Sequence, residues 1–242
     1  MKTQTILRCM LLLSFVGIQN GGAMDFVPVS PDTLVIEKSM SSSEDAAREL
    51  ENLAMRLSLD MRQDVEYDQK HVQELVDFVE RNRRDVAGLT GKVYLAFYLT
   101  IVRQDGRLQH EHRRELEEKA LAIFASVATQ FPNTWQGKLS SIYDAEVLAL
   151  KPDDDKQRHI DRARRALPIA AMVDEDSSFR SFQKALGIDD PLELSLRSQI
   201  ISGLLDIGDP AAARKELGVI KQKFPQFKTT VRLEKRLASF NK

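Results

Sequence analysis

Histidines and carboxylates are the side chains most able to do chemistry, and their spacing here is unhelpful for it. His110 and His112 flank Glu111 and precede Glu115. On a helix, residues two apart point away from each other, so this pair has poor metal-ligand geometry. A zinc hydrolase places two histidines four apart around a glutamate, and that spacing is absent. His71 and Glu74 share a helix face. A di-iron bundle, however, needs two Glu-x-x-His motifs and further glutamates on neighbouring helices; here there is no second copy and the order is reversed. Asp153, Asp154 and Asp155 form an acidic run, without the ligand spacing or central glycine of a calcium loop. They suit the start of a helix, where the dipole favours negative charge.

Nucleophilic catalysis has no support either. The chain has no Gly-x-Ser-x-Gly elbow and no glycine-rich phosphate loop. Its one cysteine, Cys9, falls in an apolar run near the N-terminus. No catalytic residue, metal ligand or cofactor is therefore expected, although an acid–base pair can still be assembled from distant residues. Arg158, Arg162, Arg164 and Arg165 make a basic helix able to hold phosphate or carboxylate groups. Because an exported protein seldom meets nucleic acid, no nucleic-acid partner is expected, and the reading is a solvated face paired with nearby aspartates.

The export reading comes from the first residues. Lys2 and Arg8 form a positive region, Cys9 to Ile18 is apolar, and Gly21-Gly22-Ala23 supplies small residues for cleavage. That order is the secretory signature, so 1–23 is expected to be a signal peptide and the protein periplasmic or secreted. Ten apolar residues span about 15 Å as a helix, roughly half a bilayer core, so no transmembrane anchor is expected in the mature chain. Loss of Cys9 leaves no disulfide, and stability must come from packing.

Charge is uneven along the chain. The whole sequence carries a net charge of −1. Residues 25–90 hold 15 acids against 8 bases, whereas 214–242 hold 9 bases against 2 acids. Opposite fields at the two ends allow charge-driven self-association, sensitive to salt beyond a Debye length of about 8 Å.

The elements that would position any site are helical. Residues 24–40, interrupted by Pro28 and Pro31, read as a linker. Ser41 stands three before Glu44, the spacing of a capping box. Leu50, Leu53, Ala54, Leu57 and Met61 recur at threes and fours and predict one buried face. Val65, Val72, Leu75, Val76 and Val79 predict a second helix, broken at Gly88 or Gly91. From about Val93 to Val102 the chain is apolar nearly all round, which predicts a central helix. After a turn at Asp105-Gly106, a long charged helix runs to about Gln130, with Leu116, Ala120, Ile123, Phe124 and Val127 as its buried stripe. Pro168 is expected to kink or end its helix. Asp190-Pro191 and Asp209-Pro210 each set a capping acid before a proline, with Glu193 completing a capping pair and Gly187 and Gly208 ending the preceding helices.

Two stretches share a pattern. Ala120, Phe124 and Pro132 stand four and eight apart, and Ala213, Leu217 and Pro225 repeat that spacing. Small alanines let helices approach, the larger residue fills the next gap, and proline ends the helix. Around 194–227, Ile200 and Leu204 occupy first-helix apolar positions and Gly208 the turn. After Pro132, Trp135, Leu139, Ser140 and Tyr143 form a second, partial copy, whose second helix is delayed by the insertion of Lys151 to Asp155. These features resemble the tetratricopeptide repeat, a helix pair of about 34 residues, over roughly 90–227.

The resemblance implies an all-α protein: a right-handed α-α superhelix, or short solenoid, over 89–242, preceded by an N-terminal helical pair at 41–88. It also implies a protein or peptide partner on a concave face lined by first helices. On the matching positions here, that face presents Ser198, Ser202 and Asp206, with Ser141 and Asp144 from the partial copy. The alternative is an all-α enzyme or small-molecule carrier with an apolar cavity near Tyr94 and Tyr98.

Overall fold

One helix organises the larger half of the molecule. Every residue from Ala87 to Thr100 is buried, as an apolar helix without a polar face must be. The computed structural model describes residues 41–62, 69–102, 110–143, 156–185 and 189–239. Ten helices lie among them: α1 (Glu44–Arg62), α2 (Gln69–Arg81), α3 (Val86–Val102), α4 (His110–Gln130), α5 (Trp135–Ile142), α6 (Lys156–Asp174), α7 (Ser177–Ala185), α8 (Leu192–Asp206), α9 (Pro210–Lys223) and α10 (Lys228–Ser239). Among the described residues, β pairing is limited to a single bridge between Ser41 and Asp85, so the fold is all-α. The expected signal peptide at 1–23, the expected linker at 24–40, Val65, Asp105-Gly106, Asp144, Asp153–Asp155 and Gly187 lie outside the described residues.

α1, α2, α4 and α5 all pack on α3. Phe182 of α7 meets Tyr94 of α3 edge-on at 6.2 Å. This body holds one hydrophobic core, which reaches Ala166, Ala170 and Val173 of α6 and Leu192 and Leu196 of α8. A second core joins Ile160 and Ala163 of α6 to α8, α9 and α10 through Leu194, Ile200, Ile201, Leu204, Ala213, Leu217, Ile220, Leu233 and Leu237. Leu167 borders both cores. In this second part α6 packs on α8, α8 on α9, and α9 on α10.

Several helix limits differ from the sequence expectation. α3 begins at Val86 and runs through both Gly88 and Gly91. A Cβ at Gly88 would lie 2.1 Å from the Asn82 carbonyl oxygen, and one at Gly91 3.1 Å from the Phe78 ring. Gly91 lets α3 touch α2 and Gly88 lets it touch the turn that follows α2, and neither interrupts a helix. The boundary between 88 and 89 therefore falls inside α3.

The Ser41 capping box does not form. Ser43 Oγ accepts the Ala46 N–H at 3.2 Å and caps α1. Ser41 instead pairs its backbone with the residues before α3, its N–H donating to Arg84 O at 2.7 Å and its carbonyl accepting from Val86 N at 3.0 Å. Asp85 then caps α3 through the Ala87 N–H at 2.8 Å.

Pro168 does not end α6, which continues to Asp174. Arg164, whose carbonyl loses its intrahelical donor to the proline, is exposed, so that carbonyl lies on the solvent side of the helix. Buried Ala166, Ala170 and Val173 hold the helix down on its other side.

Candidate interaction face

α8 lies between the two cores, and its start is held from outside its own sequence. Asp190 was the expected cap, but the helix begins without a cap bond from its own flanking side chain. Asp190 accepts instead from Thr229 Oγ1 at 2.5 Å. The cap is Asp174, at the last position of α6. Its Oδ1 accepts the Leu192 N–H and its Oδ2 the Glu193 N–H, both at 2.8 Å. Burial pushes the Asp174 carboxyl up to about 6, aided by the nearby Glu193 charge and opposed by the two amides and Arg180. The far end of α8 closes as expected. Gly208 takes φ +79°, while Asp209 N donates to Leu204 O at 2.8 Å and Gly208 N to Leu205 O at 3.1 Å. This is the double closure of a left-handed C-terminal glycine. Asp209 then caps α9 through the Ala212 N–H at 2.8 Å.

A chain of charges ties α8 to α9. Arg197 Nε donates to Glu193 Oε1 at 2.8 Å, and Lys223 Nζ donates to the same oxygen at 2.9 Å. Arg197 Nη1 also donates to Glu216. Glu193 is 6 % exposed. Burial alone would raise its carboxyl, but the bonds from Lys223 and Arg197 prevail and hold it below its ordinary value.

Ser198, Ser202 and Asp206 follow at four-residue steps on α8, along one face. Arg236 of α10 donates to Ser202 Oγ at 2.8 Å, so α10 flanks the strip. Ser198 Oγ is buried with no hydrogen-bond partner among the described residues. Asp206 is exposed. Ser141 lies apart from this strip on α5, which packs on α3, α4 and α6, and its hydroxyl donates to Lys138 O at 2.7 Å.

Tyr94 and Tyr98, the expected cavity walls, are both buried. Tyr94 donates its hydroxyl to Ala54 O at 3.0 Å. Trp135 continues the aromatic packing, its ring centre 5.2 Å from that of Phe179 and 5.6 Å from that of Phe182. Phe97, Phe124 and Tyr143 form a second such group. Lys92 is buried on α3, donating to Ser126 Oγ at 3.2 Å, and desolvation lowers its pKa. Among the described residues, no group of three or more His, Cys, Asp or Glu is placed to hold a metal ion. No described helix is long and apolar enough to cross a membrane.

The basic helix corrects one expectation. Arg158, Arg164 and Arg165 of α6 are exposed, and Arg164 lies 3.7 Å from Asp161. Arg162 is not on a solvated face; it is 9 % exposed. The sequence reading missed the Asp174 cap, the Glu193–Arg197–Glu216–Lys223 chain and the burial of Arg162. Only the four-residue spacing of Glu193 and Arg197 carried a local signal.

No protein-family model matches this chain, and no curated protein or solved structure is significantly similar to it.

Proposed function

We propose that the protein is an exported, non-catalytic scaffold that binds a protein or peptide partner along the Ser198–Ser202–Asp206 face of a short tetratricopeptide-like helical array. The observation that carries this reading is α8 itself. It is fastened to α6 and α9 by a cap and an ion-pair chain, and it carries a polar strip that ends in the exposed Asp206. A rigid helix with a polar edge is the form in which helical arrays present partner-binding groups. Export is supported by the order of Lys2, Arg8, the apolar run Cys9 to Ile18 and Gly21-Gly22-Ala23.

The test uses residues 24–242, which contain no cysteine. A photo-crosslinker is attached to Asp206→Cys, or, as a control, to Glu51→Cys at an exposed position of α1. Each protein is mixed with envelope extract and illuminated. The expected result is a discrete adduct from position 206 that is competed by unlabelled protein and weakened by Ser202→Arg. The same adducts from position 51, or adducts indifferent to competitor, would remove the assignment.

A further inference from the structure

α6 carries one cation that its neighbours do not resemble. Arg162 is 9 % exposed, and its Nε and Nη1 are buried without a hydrogen-bond partner among the described residues. An arginine does not shed its proton at any ordinary pH, and it offers five N–H donors and no acceptor. A buried guanidinium with idle donors is therefore a standing cost, and folded proteins keep such a charge where an anion completes it.

The surroundings favour an anion. From 156 to 165, α6 holds Lys156, Arg158, Arg162, Arg164 and Arg165 against the single acid Asp161. That acid lies beside Arg164. Unsatisfied buried donors are rare in folded proteins, and each calls for an acceptor. Arg162 presents two such donors, Nε and Nη1, on one charged group, both unpaired among the described residues.

We propose that Arg162 is the core of a binding site for a small oxyanion, a carboxylate or phosphate group, at the buried face of α6. The burial of the arginine sets the size: a bulky ligand could not reach its inner nitrogens without parting the helices. The idle N–H groups of a permanent cation set the chemistry, since carboxylate and phosphate oxygens accept short charge-assisted bonds from guanidinium. This site is separate from the α8 strip and does not depend on the scaffold reading.

The experiment is thermal unfolding of residues 24–242 at constant ionic strength, with chloride exchanged stepwise for phosphate in one arm and acetate in the other. A ligand that binds only the folded state raises the midpoint with a saturable dependence, whereas general exclusion of phosphate from protein surface does not saturate. The expected result is a saturable rise of several degrees in at least one arm. Arg162→Met should abolish that rise while matching or exceeding the wild-type midpoint in chloride, because it removes a buried charge whose Nε and Nη1 are unpaired among the described residues. The arm that saturates at lower concentration identifies the preferred oxyanion. Equal midpoints in all three anions for the wild type, or an undiminished rise in Arg162→Met, would overturn the proposal. If Arg162→Met does not fold, the wild-type titration is read by the Arg162 Nε–H resonance, which must shift with the same saturation curve.

Discussion

Asp174 closes the first turn of α8 by accepting the Glu193 N–H at 2.8 Å, a contact between residues 19 positions apart. The last residue of α6 thereby serves as the first support of α8, and both helices contribute to both cores. Its carboxyl lies at about 6 against an ordinary 3.8.

A definite pH dependence comes from that carboxyl. Its folded-state value lies above its unfolded one, so between about pH 4 and pH 6 the folded state holds a proton that the unfolded state has released. Stability from this group falls as pH rises through that window, by at most ~1.4 kcal/mol per pH unit, and is level above it. Asp174→Asn keeps a capping oxygen and removes the titration. Urea unfolding from pH 4 to 7 should show the wild type losing stability relative to Asp174→Asn as pH rises. A constant difference between the two would contradict the assignment.

Arg197 should be the most consequential cation of the α8–α9 contact. Arg197→Met leaves Glu193 and Glu216 without their shared partner at side-chain exposures of 8 % and 14 %. Removing one member of a buried ionic group costs ~3–5 kcal/mol. The exposed Lys221–Glu234 pair, at 57 % and 38 %, gives the contrast: Lys221→Met should cost ~0–1 kcal/mol. Chemical denaturation of the two variants side by side checks the order.

Two glycine-to-alanine changes should move stability in opposite directions. At Gly88 the new methyl would meet the Asn82 carbonyl at 2.1 Å, displacing the turn between α2 and α3 at a cost of ~1–3 kcal/mol. At Gly218, within α9, nothing lies within 4 Å. There alanine should stabilise by ~0.5–1 kcal/mol, the helix-propensity difference. Melting midpoints of Gly88→Ala and Gly218→Ala should bracket the wild type.

Tyr94→Phe isolates one buried hydrogen bond. It removes the hydroxyl that donates to Ala54 O and leaves the ring against Phe182. The expected loss, read by urea denaturation, is ~1 kcal/mol. A loss near the ~3–5 kcal/mol of a large core truncation would mean that the hydroxyl also organises its surroundings.

Helix α4 was legible almost residue for residue. Leu116, Ala120, Ile123, Phe124 and Val127 are its buried stripe, and it ends at Gln130, two residues before Pro132. The central position of α3 was legible for the same kind of reason: a helix without a polar face has nowhere to go but inside. Asp209 and Gly208 also behave as their types require, because both act on backbone within a few residues. Asp190-Pro191 has the same local signature as Asp209-Pro210, yet its acid turns to Thr229 and Asp174 caps the helix instead. No windowed reading can distinguish the two, because both competing partners are remote in sequence. Of the candidate face, the four-residue spacing of Ser198, Ser202 and Asp206 was legible, but the bond from Arg236 to Ser202 was not.

From its residues alone, the chain establishes that it is helical, which stripe most helices bury, and which turns glycine and proline shape, because these depend on neighbours within a turn or two. Tertiary structure decides what happens where two helices compete for one group. It turns Gly88 from a breaker into a contact, lets α6 run past Pro168, assigns the α8 cap to Asp174, and buries Arg162 with two nitrogens unpaired among the described residues. Each outcome depends on the solvent and charge that a neighbouring helix removes or supplies, and that is set by three-dimensional packing, which spacing along the chain does not encode.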